Sequence, residues 1–238
     1  MVRTAVKNGL RKLGYVVSQY DSRRDPLAVR TRFLESHGIN LVLDVGANTG
    51  QFALQLLETG YSGSMISFEP LSAAYRTLSD VARHHVNWRV ENCALGDKED
   101  TAEINVAENS WSSSLLNILP THVESAPDSA YIATERIQMR TLDALFPRYA
   151  TAETRAFLKI DTQGFTMKVL DGGEQALEAI LGLQVEMSLV PLYEGEPLIG
   201  EVVSFLQRRG FTLLFLMPGF IDNATGQQLQ VDGLFFRL

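Results

Sequence analysis

The sequence predicts an α/β fold: a doubly wound, mostly parallel seven-stranded sheet with an antiparallel C-terminal strand, preceded by helices. Two observations carry this prediction. From Asn40 onward, short apolar runs alternate with helical periods, the pattern of successive βαβ units. The last two runs, Phe211–Met217 and Gly233–Leu238, are joined only by the turn-rich Pro218–Asp232. No crossover helix fits there, so these two runs should pair antiparallel at the end of the sheet. Size and composition agree, because 238 residues with 45% hydrophobic and 21% charged side chains suffice for a buried core without disulfide or metal support.

Taken in order, Val2, Val6, Leu10, Leu13 and Val17 recur at three- and four-residue intervals between Arg3, Lys7, Arg11 and Lys12, which predicts a basic amphipathic helix over Met1–Tyr20. Such a helix suits an anionic membrane face, a neighbouring part of the chain, or a second subunit in a homodimer. A break at Asp21–Pro26 precedes a second helix over 27–36, which ends at His37-Gly38. Strands follow at 41–45, 64–69, 86–91, 156–160, 182–189, 211–217 and 233–238, with helices near 51–59, 71–84, 165–171, 174–181 and 197–209. Right-handed crossovers then build the sheet. Further strands are expected at 101–107 and 136–140, and about 108–135 forms an insertion rich in Ser and Pro with an apolar island at 115–119. So long an excursion in a small domain reads as a lid over a site. The division expected is a helical extension over 1–38 and a ligand-binding domain over 39–238.

Charge is distributed unevenly. Residues 1–32 carry eight Lys/Arg against two Asp, whereas the remainder carries 13 basic against 26 acidic residues. An acidic body is a poor partner for a phosphate backbone, so nucleic acid is not the expected substrate. No run of eighteen apolar residues occurs, and the single cysteine, Cys93, cannot form an internal disulfide. A cytoplasmic protein, peripheral at most to the inner membrane face, is the expectation.

The chemistry gathers at the carboxyl ends of the strands, where open α/β sheets bind ligands. Leu41–Val45 runs straight into Gly46-Ala47-Asn48-Thr49-Gly50. This G-x-x-x-G spacing lacks the third glycine of a dinucleotide fingerprint and the lysine of a phosphate loop. Asp44 just before it would repel phosphate and attract an ammonium or sulfonium. Glu69, ending the second strand, lies where a carboxylate can accept from both ribose hydroxyls. Adenosine, an amino-acid portion and no phosphate satisfy these residues together, which points to S-adenosylmethionine. An NAD-dependent oxidoreductase and a catalytically silent scaffold of the same fold are the competing readings.

Leu43–Gly50, Phe68-Glu69-Pro70, Ala94-Leu95-Gly96-Asp97 and Leu158-Lys159-Ile160-Asp161-Thr162-Gln163-Gly164-Phe165 together resemble the FkbM-type methyltransferases over about residues 40–215. The resemblance implies a class I, Rossmann-like fold that transfers a methyl group to a hydroxyl of a sugar, polyketide or lipid-linked glycan. It places Asp44, Gly46, Asn48 and Gly50 around the methionine portion, Glu69 at the ribose, and Cys93-Ala94 at the adenine edge; Pro70, next to Glu69, is counted among the cofactor contacts. Thr166 departs from the family pattern, where many relatives have Glu, and the first 37 residues match nothing assignable.

Methyl transfer is an in-line displacement, so the protein chiefly positions and deprotonates the acceptor. Asp161, at a strand end beside the reactive end of the cofactor, is the first candidate for contacting the acceptor or serving as base. Glu186, a carboxylate within the apolar Leu183–Met187, is the second, and His122 in the insertion is the third. Asp161 and Glu186 offer two oxygen ligands to a divalent ion without a convincing third, so such a metal is an open but unfavoured reading. Trp111 and Ser112–Ser114, with Ser113 counted among the cofactor contacts, would add an aromatic wall and hydroxyl donors. The expected acceptor is a small molecule, a glycan or a lipid-linked sugar.

Overall fold

The structure, a computed structural model, describes residues 8–15 and 20–238. Residues 8–12 are helical (α1), and Leu13 and Tyr15 beyond them are exposed. Val2, Arg3, Val6, Lys7 and Val17 of the expected basic helix lie outside the described residues.

In chain order the elements are α2 (Pro26–Ser36), β1 (Leu41–Val45), α3 (Gln51–Glu58), β2 (Ser64–Phe68), α4 (Ser72–Ala82), β3 (Trp88–Glu91), β4 (Ala94–Leu95) and β5 (Asp100–Ala107). Then come α5 (Pro120–Ser125), β6 (Tyr131–Arg140), α6 (Leu142–Leu145), β7 (Ala156–Ile160), α7 (Thr166–Asp171), α8 (Glu174–Ala179), β8 (Ile180–Ser188), α9 (Ile199–Arg208), β9 (Thr212–Pro218) and β10 (Gln230–Phe236).

Seven strands form the main sheet in the order β3-β2-β1-β7-β8-β10-β9. Strands β2, β1, β7 and β8 pair in parallel, and β10 inserts antiparallel between β8 and β9. The expected closing hairpin is therefore present, with its second strand inside and its first at the sheet edge. A second sheet, β4-β6-β5, holds the strands expected near 101–107 and 136–140.

The strand period of two divides the core. Leu41, Leu43 and Val45 of β1 face a cluster that includes Leu142, Leu170, Leu177 and Leu206, while Val42 faces one built with Val29, Phe52, Leu56 and Leu78. Helices therefore cover both faces, and every residue of β1 and of β7 is buried. Fully burying such a leucine or phenylalanine contributes roughly 1.5–3 kcal/mol. That layer is the rigid base from which the loops at the carboxyl edge project.

Helix α2 packs on this sheet rather than standing apart from it. Asp25 caps it by accepting from the Ala28 N–H at 2.8 Å, and Pro26 occupies the first turn, where no donor is lost. Phe33 stacks on Phe236 of β10 with ring centroids 5.4 Å apart. Arg30, buried, donates to Gln184 on β8 and Gln55 on α3 and lies over the Phe52 ring.

The insertion is shorter and more ordered than its composition suggests. Strand β6 begins at Tyr131, not at 136, and pairs antiparallel with β5. Between Ala107 and Tyr131 the chain is pinned at several points: Asn105 and Ser114 exchange backbone hydrogen bonds at 2.9 and 3.1 Å, and the Leu119 N–H donates to the Leu192 carbonyl at 2.8 Å. The resulting cover is bonded at both ends to strand-end loops.

Candidate active site

Gly46 begins the site. Its φ of 76° lies in the left-handed region, and a Cβ there would sit 1.8 Å from the Asp161 carbonyl oxygen. Only glycine lets the β1 loop lie against the end of β7, where the Asp161 N–H donates to the Val45 carbonyl at 3.0 Å. Gly50, at φ 95°, turns the chain into α3 with its α-carbon against Trp88 and Leu78. It shapes the loop and does not line the cavity.

Above this edge lies a cavity of about 320 Å³. Gly46, Asn48, Glu69, Pro70, Cys93, Ala94, Ser113, His122, Asp161 and Glu186 all line it, so the structure brings together ten of the residues expected from the sequence. No lysine or arginine lines it among the described residues.

Glu69 is held from below. Its Oε2 accepts from the Asn48 N–H and its Oε1 from the Leu71 N–H, both at 2.8 Å. Each oxygen has a second lone pair to offer, so a vicinal diol meets a pre-oriented carboxylate. Burial nevertheless pushes Glu69 up to about 7 against the pull of these two N–H groups. Beside it Pro70, Leu71, Cys93, Ala94, Leu95 and Ile104 make a flat apolar wall. The Cys93 thiol, pushed up to about 12 by burial, is a wall atom and not a nucleophile.

Asp44 is placed differently from the expectation. It is wholly buried and absent from the lining, its carboxylate 3.2 Å from Lys159 Nζ and accepting from Ser67 Oγ at 3.1 Å. A carboxylate in this layer must be paired, and the buried Lys159 supplies the counter-charge. Lys159 also donates to the Gly46 carbonyl at 3.0 Å and approaches Asp161 Oδ2 at 3.4 Å. Asp44 thus shapes the glycine loop through Lys159, and the acidic groups facing the cavity are Glu69, Asp161 and Glu186.

At the far end, the Gln163 amide nitrogen donates to Asp161 Oδ1 at 2.9 Å and to Glu186 Oε2 at 2.8 Å. Its side-chain oxygen, Oε1, accepts from the Tyr193 hydroxyl at 2.7 Å. Burial raises Glu186 well above the ordinary carboxylate range, with Asp161 and Asp232 adding to the effect. His122 is buried between Tyr193 and Phe220, and burial lowers it to about 4. Its Nδ1 has no partner and its Nε2 lies 3.5 Å from Ser112 Oγ. Without a carboxylate bonded to the ring, His122 stays neutral and serves as a wall donor or acceptor in preference to a base.

The pattern of the sequence does not single out Phe220, and Lys159 and Gln163 stand in the Leu158–Phe165 motif without a role of their own. A lysine inside the apolar Phe157–Ile160 was the available signal, because a buried charge demands a partner. No group of three His, Cys, Asp or Glu able to hold a metal ion occurs among the described residues.

The family model described as Methyltransferase FkbM domain matches residues 44–213. The chain belongs to the FkbM methyltransferase family. Among solved structures, the methyltransferase FkbM from Methylobacillus flagellatus KT is similar at 14% identity and a TM-score of 0.52, covering 82% of this chain and 43% of that one. This chain therefore spans less than half the length of that relative. A putative methyltransferase from Streptococcus mutans in complex with SAH matches at 12% identity and a TM-score of 0.49, covering 90% of this chain and 99% of that one. An rRNA methylase from Streptococcus thermophilus matches at 13% identity and a TM-score of 0.49, covering 93% of this chain and 99% of that one. No curated protein matches in sequence. At 14% identity the likeness to the Methylobacillus flagellatus protein is one of fold. The FkbM domain itself reaches from the end of β1 into β9 and so includes every cavity residue named here except His-flanking Phe220, which follows it.

Proposed function

We propose that the chain is an S-adenosylmethionine-dependent O-methyltransferase acting on a hydroxyl of a sugar, glycolipid or related natural product. The observation that carries this reading is the cavity's charge: three carboxyl groups face it and no lysine or arginine does, among the described residues. Such a lining suits a cofactor with a sulfonium, an ammonium and a ribose, and it repels the pyrophosphate of NAD. Glu69 would take the ribose hydroxyls, the Leu71–Leu95 wall the adenine, and Gly46, Asn48 and Asp161 the amino-acid portion. When bound, the cofactor supplies a methyl group on a positively charged sulfur.

The chain's own residues do the rest. Asp161 lies at the carboxyl end of β7 and takes the acceptor's proton, while Trp111 and Phe220 offer aromatic faces to the acceptor. We place the acceptor among uncharged hydroxyl compounds and not among nucleic acids, because a phosphate in this cavity would find acidic groups and, among the described residues, no lysine or arginine to offset its charge. No helix among the described residues is long and apolar enough to cross a membrane. The basic N-terminal segment is the part we assign to contact with an anionic carrier surface or a second copy at the cytoplasmic side of the membrane.

Calorimetric titration of the full chain with S-adenosylhomocysteine, with NAD as the control, tests the reading. Micromolar binding of the first and none of the second is expected, with Asp161→Asn abolishing methyl transfer in an acceptor screen. Binding of NAD without S-adenosylhomocysteine would overturn it.

A further inference from the structure

Two acids share one amide at the acceptor end of the cavity. Gln163 adopts a left-handed backbone, at φ 50°, that a bulky residue seldom takes. This conformation turns its side chain back across the strand ends. The Tyr193 hydroxyl occupies the amide oxygen at 2.7 Å, so the nitrogen is left to face Asp161 at 2.9 Å and Glu186 at 2.8 Å. The Gln163 backbone carbonyl in turn accepts from Ser114 Oγ at 2.6 Å, which ties this node to the insertion.

The charges around the pair are unequal. Lys159 Nζ makes an ion pair with Asp161 Oδ2 at 3.4 Å, having Asp44 as its other partner. Glu186 instead stands opposite Asp232 in the β8–β10 register, and Asp232 answers to Gln184 at 3.2 Å with Arg30 beyond it. Burial, with the carboxylates of Asp161 and Asp232 beside it, favours the protonated form of Glu186 against the pull of Lys159.

We propose that Asp161 and Glu186 act as one proton-sharing pair in which Gln163 is the positioning residue, so that a single hydroxyl is gripped at two points. This rests on the functional reading above and deepens it. The protonated Glu186 donates to the hydroxyl oxygen, and the hydroxyl hydrogen points to Asp161. When the oxygen reacts, one of its lone pairs forms the new O–C bond as the C–S bond of the sulfonium breaks and a neutral thioether leaves; the O–H electron pair stays on oxygen, and the proton passes to Asp161. A group lacking either the hydrogen or the lone pair fills only half of the grip, which selects hydroxyls over ethers and ammonium groups.

The test needs no acceptor or cofactor. Carboxyl-carbon NMR of the full chain across pH, with Glu186 assigned by its loss in Glu186→Gln, reads the pair directly. Glu186 is expected to hold its proton above the ordinary carboxylate range, Asp161→Asn to lower its midpoint by roughly one pH unit or more, and Gln163→Leu to raise it by removing a donor to the ionised form. A Gln163 that merely supported the fold would leave that midpoint in place. Glu186 titrating in the ordinary range, or a midpoint unmoved by the isosteric Asp161→Asn, would overturn the pair; a folded Gln163→Leu chain with an unchanged midpoint would remove Gln163 from it. Failure to bind S-adenosylhomocysteine would count against the functional reading alone, since this titration is made on the free protein.

Discussion

The two long sides of the cavity are built by different means. On the strand side, Gly46, Glu69, Cys93 and Asp161 stand at the ends of β1, β2, β3 and β7, and their positions follow from the buried parallel ladder beneath them. On the cover side, Ser110 to Leu115 and His122 are held by side-chain-to-backbone bonds such as Ser113 Oγ accepting from the Ala107 N–H at 3.0 Å and Ser114 Oγ donating to Gln163. One side inherits its geometry from secondary structure. The other makes its own, through side-chain bonds some of which are local and some of which cross the fold. The contrast implies that the strand side tolerates almost no change in backbone and that the cover side absorbs substitutions locally.

The largest effect should come from the strand side. Gly46→Ala puts a Cβ 1.8 Å from the Asp161 carbonyl in a left-handed conformation, so the β1 and β7 loops must part. A loss of roughly 3–5 kcal/mol in urea unfolding is expected, together with loss of S-adenosylhomocysteine binding. A stability change under about 1 kcal/mol would show that this edge is more compliant than its packing indicates.

Glu69 sharpens the same side at the level of chemistry. Glu69→Gln keeps the shape and both lone-pair directions on one atom only, so cofactor affinity should fall about 10- to 100-fold, in keeping with the 1.5–3 kcal/mol of charged hydrogen bonds. The sign of the pH dependence follows from burial. Because Glu69 is raised to about 7, its ionised form, the better acceptor of two ribose hydroxyls, is gained as pH rises through that value. Affinity should therefore strengthen between about pH 6 and pH 8 in the parent chain and stay flat in Glu69→Gln. Calorimetry at both pH values decides this, and an equal slope in the two proteins would detach the titration from Glu69.

The same contrast governs how much could be read in advance. Alternating apolar runs located β1, β2, β7 and β8, and because ligand sites sit at strand ends, Glu69 and Asp161 followed from the strand boundaries alone. The structure confirms the fold and assembles these residues around one cavity. Asp44 resisted reading because a strand-end carboxylate looks the same in sequence whether it faces a ligand or a buried lysine. Its partner, Lys159, lies 115 residues on and on a neighbouring strand. Gln163 resisted for a related reason, since its role depends on a left-handed φ and on Tyr193 and Glu186 arriving from β8 and the loop after it. In the insertion, serines and prolines signalled irregular backbone, while the pairing that starts β6 at Tyr131 depends on β5 across the hairpin.

The smallest effect on the fold belongs to the cover side, and there it separates two uses of the cavity. Trp111 is 60% exposed at the cavity mouth, with its backbone fixed by neighbouring turns. Trp111→Ala removes little buried surface, so urea unfolding should shift by no more than about 0.5 kcal/mol. If the ring stacks on the acceptor, S-adenosylhomocysteine affinity stays within about threefold while the acceptor KM rises on the order of tenfold, the worth of one aromatic contact. A tenfold loss of S-adenosylhomocysteine affinity instead would assign Trp111 to the adenine. The cover would then be part of the cofactor site, and the division between a strand side for the cofactor and a cover side for the acceptor would fail at that residue.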